Sequence, residues 1–431
     1  MRTRRSHKLA AGKSILTIGD GVCNPKSMVA AVGAGVSRSV LLLYNCAMRH
    51  TRQTAPVASP NLKRILAVKL ADMGDLLTIT PALQALRAAH PQASIHLLVP
   101  PQAALLLEGA PYVDRILTFD KFPFDTLMGL FNLPHLVRTV GFLQRLRRGR
   151  YDAVLLFHHL TLRWGTIKFA VLCLITGARI RAGLDNGRGR YFLTHAVADR
   201  GFGAMHEADY WLSVAALLGA DPTAGWRPHI PVCDPHRQTA GRLLASISNG
   251  RAGPLVAVHP GSGWYSRARI WPVERFAEVA RDLIDTQGAK IIIIGGTDEQ
   301  ASAARLETLV DRGQHVLNLV GRTTIHETAA VLERCSLFVG NDSGPMHIAA
   351  AVGTPVVAVF GPSNQHAWRP YTPPGREYPR YAIVARDLPC MPCLYRGHSL
   401  GLREGCGTRP CLTGLPAGLV SVACRQMLAH R

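Results

Sequence analysis

From Asn61 onward, short unbroken apolar runs alternate with longer stretches whose apolar positions recur every three or four residues. Arg64 to Leu70 (RILAVKL) reads as a strand buried on both faces, the character of a parallel sheet. Ala71-Asp72-Met73-Gly74 follows as a loop. Thr80-Pro81 then reads as an N-cap with proline at the first helical position, and Leu83, Leu86 and Ala89 continue at helical spacing. Ile95 to Val99, Arg115 to Phe119 and Asp152 to Phe157 supply further strands. The last two are separated by a basic helix ending in Arg145, Arg147, Arg148 and Arg150.

The pattern then restarts. Pro228 to Gly253, with prolines, a short helix and a Ser/Asn/Gly stretch, suits a connection between domains. Strands are predicted at Leu255 to His259, Lys290 to Ile294, Val316 to Val320, Leu337 to Val339 and Pro355 to Phe360. Helices are predicted at Pro272 to Asp285, Thr324 to Glu333 and Pro345 to Ala351. Strands alternating with helices predict α/β architecture with parallel sheets. Two such units in 431 residues, more than one core usually holds, imply two doubly wound domains facing a central cleft. The boundaries read as an extension over 1–60, a first domain over 61–232 and a second over 250–431.

Composition adds a charge to explain. Lys and Arg number 49 against 28 Asp and Glu, a net +21, while 48% apolar and 18% charged residues exclude a mostly disordered chain. Residues 1–60 hold nine basic side chains and one acid, Asp20, without a clear apolar period, and read as a poorly ordered extension. The apolar stretch Met28 to Met48 is broken by Ser37-Arg38-Ser39 and starts late for a signal peptide. Its internal arginine also argues against a membrane span. So basic a chain suggests an anionic partner: nucleic acid, an acidic membrane surface or a phosphorylated substrate. Aromatic residues are only 6% and no nucleic-acid-binding module is present, which weakens the first.

Candidate chemistry gathers after predicted strands. His259-Pro260-Gly261-Ser262-Gly263 is either a plain turn or a cradle in which glycine backbone and the Ser262 hydroxyl meet an anion. Gly340-Asn341-Asp342-Ser343-Gly344-Pro345-Met346-His347 opens a helix with proline early in it. That segment is either an ordinary capped helix start or an anion site, with His347 in reach. Asp72 and Asp75 follow the first strand, where Asp75 either caps a helix or serves as a general base. His158 and His159 are neighbours on or just after a strand, where they point to opposite faces, which disfavours a shared metal. Cys390, Cys393, Cys406 and Cys411, spaced C-x₂-C-x₁₂-C-x₄-C, permit a structural zinc site or free thiols. The ten cysteines make no disulfide scaffold, and a reducing cytosol is the default compartment. The Walker-type phosphate loop, the Gly-x-Gly-x-x-Gly opening of a nucleotide-binding helix and an Asp-x-Asp metal motif are all missing from the sequence.

Taken together, three ordered blocks resemble the lipopolysaccharide heptosyltransferases, the ADP-heptose-using glycosyltransferase family nine. They are ILAVKLADMGDLLTITPALQALRAAHP (Ile65–Pro91), VAVHPGSGWYSRARIWPVERFAEVA (Val256–Ala280) and LVGRTTIHETAAVLERCSLFVGNDSGPMHIAAAVGTPVVAVFGPS (Leu319–Ser363). His206-Glu207-Ala208-Asp209-Tyr210 is similar to that family's His-Glu element, and the resemblance spans about Lys63 to Cys424. It implies a GT-B fold of two Rossmann-like lobes, with acceptor on the first and nucleotide-sugar on the second.

It also implies an inverting transfer without a catalytic metal or cofactor, with Asp75 as the base. Gly261, Ser262, Arg269, Asp342, Ser343, Gly344 and His347 would serve the donor. Arg269 stands where the family often has Lys, two residues before Trp271-Pro272, with Arg267 as its substitute. The implied partners are an ADP-heptose-type donor and a glycolipid acceptor, at the cytoplasmic face of an anionic inner membrane. An epimerase of the same fold is the alternative within the enzyme class, and a basic nucleic-acid-binding protein the alternative outside it.

Overall fold

The structure, a computed structural model, describes residues 14–18, 61–120, 133–248, 253–263, 265–375 and 380–429. Chain order begins with β1 (Ser14–Ile18). There follow β2 (Arg64–Val68), α1 (Met73–Ala89), β3 (Ser94–Val99), β4 (Arg115–Thr118), α2 (Leu133–Arg148), β5 (Ala153–Leu156), α3 (Arg163–Ile175), β6 (Ile180–Asp185), β7 (His195–Ala198) and α4 (Glu207–Ala216). Strands β2 to β7 form a parallel sheet in the order β4-β3-β2-β5-β6-β7.

The second lobe comprises α5 (Asp234–Ser248), β8 (Leu255–His259), α6 (Val273–Gln287), β9 (Lys290–Ile293), α7 (Gln300–Val310), β10 (Val316–Asn318), α8 (Ile325–Glu333), β11 (Leu337–Asn341), α9 (Gly344–Val352), β12 (Val356–Phe360), β13 (Tyr381–Arg386), the hairpin β14 (Leu394–Arg396) and β15 (Ser399–Gly401), and α10 (Ala417–Ala429). Its sheet runs β1-β13-β12-β11-β8-β9-β10, parallel except for β1, which lies antiparallel on β13.

In each lobe the chain winds outward one way, returns to the middle and winds out the other way. The reversal falls between β2 and β5 in the first sheet and between β8 and β11 in the second. At such reversals the loops beyond the strands' carboxyl ends part and leave a crevice. Alternation along the strands divides the core: Ile65 and Ala67 join an apolar cluster continuous with the second lobe, while Leu66 and Val68 face a separate cluster under α2 and α3. A third cluster fills the outer face of the second sheet beneath α6, α7 and α10.

Several elements differ from the sequence expectation. Thr80-Pro81 is not a helix start: α1 begins at Met73 and carries Pro81 in its interior. Proline cannot donate to the carbonyl four residues back, but the Thr80 hydroxyl donates to that carbonyl, Leu77, at 2.8 Å and fills the gap. The same hydroxyl accepts from the His229 backbone at 2.9 Å. This early start puts Asp75 in the first helical turn. The connection over 228–253 contains a fifteen-residue helix, α5, joined to α8 by Arg237 and Glu333. Strands β6, β7, β13 and the β14–β15 hairpin were not foreseen, and the extension contributes β1 to the second sheet. The Met28 to Met48 stretch and the rest of 1–60 lie outside the described residues. Among the described residues no helix is long and apolar enough to cross a membrane.

Replacing Thr80 with Val should leave the Leu77 carbonyl and the His229 amide unpaired in a fully buried site. Chemical denaturation is expected to read a loss of about 1–3 kcal/mol.

Candidate active site

Asp75 lies on the first turn of α1, just beyond the end of β2, with its carboxylate 3.7 Å from the Lys69 ammonium. Lys69 interrupts an otherwise apolar run and is buried. Its ammonium sits 4.3 Å over the Trp211 ring of α4, and the Trp211 indole N–H donates to the Thr78 hydroxyl at 3.0 Å. α1 and α4 therefore share the fixing of Lys69, which in turn orients Asp75.

Across the cleft, α9 points its N-terminus at the start of α1. The approach is close: a Cβ on Gly74 would come within 3.3 Å of the His347 ring and 3.4 Å of Gly344 Cα. Asp72 and Ser343, at the two N-cap positions, make no side-chain cap hydrogen bond. First-turn N–H groups and two positive dipole ends thus gather in one place, the arrangement of an anion site.

Ser343 is diverted rather than idle. Its hydroxyl lies 3.1 Å from His259 Nδ1 and donates to the Asn341 carbonyl, while His259 Nε2 lies 2.9 Å from the Glu299 carboxylate. Burial pushes the Glu299 carboxyl up, but the hydrogen bond and charge of His259 together with backbone N–H donors override this and hold it below the usual carboxylate range. Glu299 also explains Gly261, where a Cβ would fall 1.5 Å from the carboxylate oxygen. Fully buried Asn341 ties the adjacent loops together. It donates to the carbonyls of Pro260 and Gly261 at 3.0 and 2.9 Å and accepts from the Trp271 backbone at 3.1 Å.

Arg269 turns inward and Arg267 outward from the same short 3₁₀ turn. The Arg269 guanidinium donates to the Ser262 carbonyl at 3.1 Å and to Asp342 at 3.4 Å. Among the described residues, its buried Nε has no hydrogen-bond partner. Burial opposes its charge, but Asp342 above all, with Asp75 adding, holds it more firmly protonated than usual. The Ser262 hydroxyl donates to the Ser266 carbonyl at 2.8 Å, so its proton shapes the loop. His347 is buried, and burial foremost, helped by Arg269, pulls its pKa below the ordinary imidazole value against Asp342 and Asp75.

The structure thus brings together Asp75, Gly261, Ser262, Arg269, Asp342, Ser343, Gly344 and His347. It adds Lys69, Asn341, His259 and Glu299, to which sequence reasoning gave no role, and Tyr395, which burial pushes well above the ordinary phenol range. Lys69 carried a signal, a charge inside a buried strand run, and Glu299 follows the strand next to β8. Tyr395 carried none: it arrives with left-handed backbone (φ 59°) from a hairpin that follows the last strand of the second sheet.

A second polar cluster lies behind the site, where the lobes meet. His206 at the start of α4 accepts from the Ala208 backbone and donates from Nε2 to the Arg369 carbonyl at 2.8 Å. The Tyr371 hydroxyl donates to Asp209 at 2.7 Å, and Asn364 donates to the Phe202 carbonyl at 3.2 Å. Buried His159 shares its Nε2–H between both Glu207 oxygens, at 3.1 and 3.3 Å. Its Nδ1 is 3.0 Å from Asp199, off the line of an ideal hydrogen bond. His158 instead accepts from the Leu70 backbone and stacks on Phe169, so the two histidines go separate ways. Among the described residues, no three His, Cys, Asp or Glu side chains converge as metal ligands would. Cys390, Cys393, Cys406 and Cys411 form no disulfide.

The fold and site define a two-lobed α/β protein of GT-B type with an anion-receptive cleft. A family model described as glycosyltransferase family 9 (heptosyltransferase) matches residues 140–402, more than half of the chain. The chain belongs to that family and is a glycosyltransferase. It is 26% identical over 316 residues to lipopolysaccharide heptosyltransferase 3 of Escherichia coli, covering 69% of this chain and 84% of that one. With lipopolysaccharide heptosyltransferase 2 of E. coli K12 it shares 27% over 321 residues, covering 72% and 85%. Among solved structures, a family 9 glycosyl transferase from Veillonella parvula superposes with a TM-score of 0.65 at 24% identity, over 88% of this chain and all of that one. E. coli ADP-heptose LPS heptosyltransferase II gives 0.62 at 20%, over 85% and 99%.

The two buried histidines predict opposite pH limbs. His159 has its pKa raised from 6.5 to about 9: burial opposes this, and Glu207 and Asp199 override it. Its stabilisation is complete below pH 6.5 and is lost as pH rises through about 9. Burial lowers His206 to about 3, so its contribution is present above pH 6.5 and fades as pH falls toward 3. A pH series of thermal unfolding should show both limbs. His159→Gln should flatten the alkaline one at a cost of about 3–5 kcal/mol, because two buried carboxylates lose their cation.

Proposed function

We propose that this glycosyltransferase moves heptose, or a related sugar, from a nucleotide-diphosphate sugar to a lipopolysaccharide-core or similar glycolipid acceptor. ADP-heptose is the preferred donor, and transfer proceeds with inversion and without a catalytic metal. The observation that carries this reading is the meeting of the Asp75 helix start with the Gly344 helix start, 3.4 Å from a Gly74 Cβ position to Gly344 Cα. A base on one lobe and an anion cradle on the other suit a displacement across the cleft. The named relatives are lipopolysaccharide heptosyltransferases, and an E. coli heptosyltransferase of the same fold was solved with ADP-2-deoxy-2-fluoro heptose.

In this mechanism Asp75 takes the proton of an acceptor hydroxyl as its oxygen attacks the anomeric carbon. The bond from that carbon to the diphosphate oxygen breaks, its electron pair leaves with the nucleotide, and one in-line displacement inverts the centre. Charge growing on the diphosphate meets the N–H groups at Ser343 and Gly344, the Arg269 guanidinium and a donor nitrogen of neutral His347. Gly261 and Ser262 shape the facing loop and Asp342 holds Arg269. Glu299 and His259 keep the Ser343 hydroxyl from capping α9, so its amides stay open to the donor. The acceptor reaches the cleft from the cytoplasmic face of an anionic membrane.

Asp75→Asn should bind the donor as wild type does yet lose most turnover, about a hundredfold or more. Calorimetric donor binding beside acceptor-dependent nucleotide release measures both, and near-normal turnover would end the assignment. Arg269→Ala should instead weaken donor binding by about tenfold to a hundredfold, the worth of a charged hydrogen bond. Unchanged donor affinity in that variant would remove Arg269 from the phosphate site.

A further inference from the structure

The outer face of the first sheet, turned away from the second lobe, is covered by α2 and α3. α3 and its N-cap residue present an apolar stripe to solvent: Leu162 is 61% exposed, Trp164 42%, Ile167 53%, Val171 50% and Leu174 51%. Positions 164, 167, 171 and 174 recur at three and four residues and share one helix face, while Leu172 and Cys173 fill the core beneath. So continuous an apolar face on a charged protein marks an interaction surface.

The charge around it specifies the partner. α2 and α3 pack on each other and together carry Arg138, Arg145, Arg147, Arg148, Arg163 and Lys168, with no acidic residue on either helix. The Arg147 guanidinium lies against Gly177, two residues past the end of α3, so the basic cluster adjoins the foot of the stripe. There, at the amino ends of β2, β3 and β4, Arg64, Arg115, Arg145 and Arg148 line a cavity of about 680 Å³ with His96 and Tyr151. The nearby acids are engaged: Asp152 accepts from the Lys63 and Arg64 backbones, and Asp114 pairs with Arg87 and accepts from the Ile95 backbone. A second copy docked through this face would set arginines against arginines. A surface of phosphates over hydrocarbon satisfies both halves of it.

We propose that the α2–α3 face docks on an anionic lipid bilayer, with the α3 stripe at the acyl boundary and the flanking arginines on lipid phosphates. The surface stands whatever sugar is transferred. Its consequence for catalysis rests on the proposed function. Leu162 begins the stripe a few residues beyond β5, whose carboxyl end borders the cleft, so a membrane-held acceptor would have its sugar near Asp75.

The test is flotation of the full chain with vesicles of phosphatidylcholine alone or mixed equally with phosphatidylglycerol. Wild type should float with the anionic vesicles only, and less as salt rises. Ile167→Glu with Val171→Glu should cut partitioning by about tenfold or more, as should Arg145→Ala with Arg148→Ala. Both variants should keep wild-type unfolding midpoints and wild-type turnover on a delipidated, water-soluble acceptor. Wild type that ignores anionic vesicles overturns the proposal, as do variants that bind them equally well. So does a wild-type dimer in sedimentation that the Ile167→Glu, Val171→Glu variant abolishes, since a second copy would then cover the stripe. A chain that floats but transfers no sugar keeps this inference and loses the proposed function.

Discussion

Two helix starts held nose to nose are the constraint on which the rest of the molecule turns. Each contributes a partial positive charge of about half a unit, so α1 and α9 repel unless negative charge stands between or beside them. Asp75 on the first turn of α1 and Asp342 just before α9 supply some of it from the protein itself. A bound diphosphate would supply more. The approach is possible because Gly74 and Gly344 have no side chains, and it persists because the lobes are joined behind the cleft by one continuous apolar cluster.

The flanking hydrogen bonds hold the loops in service of that meeting. Asn341 binds the 260–261 loop to the start of α9, and Glu299 fills the space that Gly261 leaves open. Ser343 gives its hydroxyl to neighbours rather than to its own helix. On the first lobe, Lys69 is caught between Trp211 and Asp75. Thr80 repairs the helix around Pro81, so α1 starts far enough forward to carry Asp75 into the cleft. Neither lobe alone assembles a site; each brings one helix start and the groups that keep it bare.

The net charge of +21 divides by location. Arg269 sits in the cleft beside Asp342, the α2–α3 arginines form an outer surface, and a share lies in the extension. The same residue type does different physical work in each place: desolvated and paired beside Asp342, exposed and unopposed by acids on α2 and α3.

The sequence by itself determined the doubly wound pattern, the strands that carry the motifs and most of the cleft residues, since those properties depend on local spacing of apolar, glycine and proline positions. Where it erred, the cause was a partner far along the chain. Thr80-Pro81 has the grammar of a helix start, and only the hydroxyl bond to Leu77 and the packing on α4 show why the helix runs through it. Ser343 has the grammar of a cap, and only His259 and Asn341 explain why it does not act as one. Lys69, Glu299 and Tyr395 became members of the site through pairing and burial, which local pattern does not encode. Tertiary structure decided which polar groups stay open at the cleft, because a hydrogen bond satisfied elsewhere is one that a ligand cannot use.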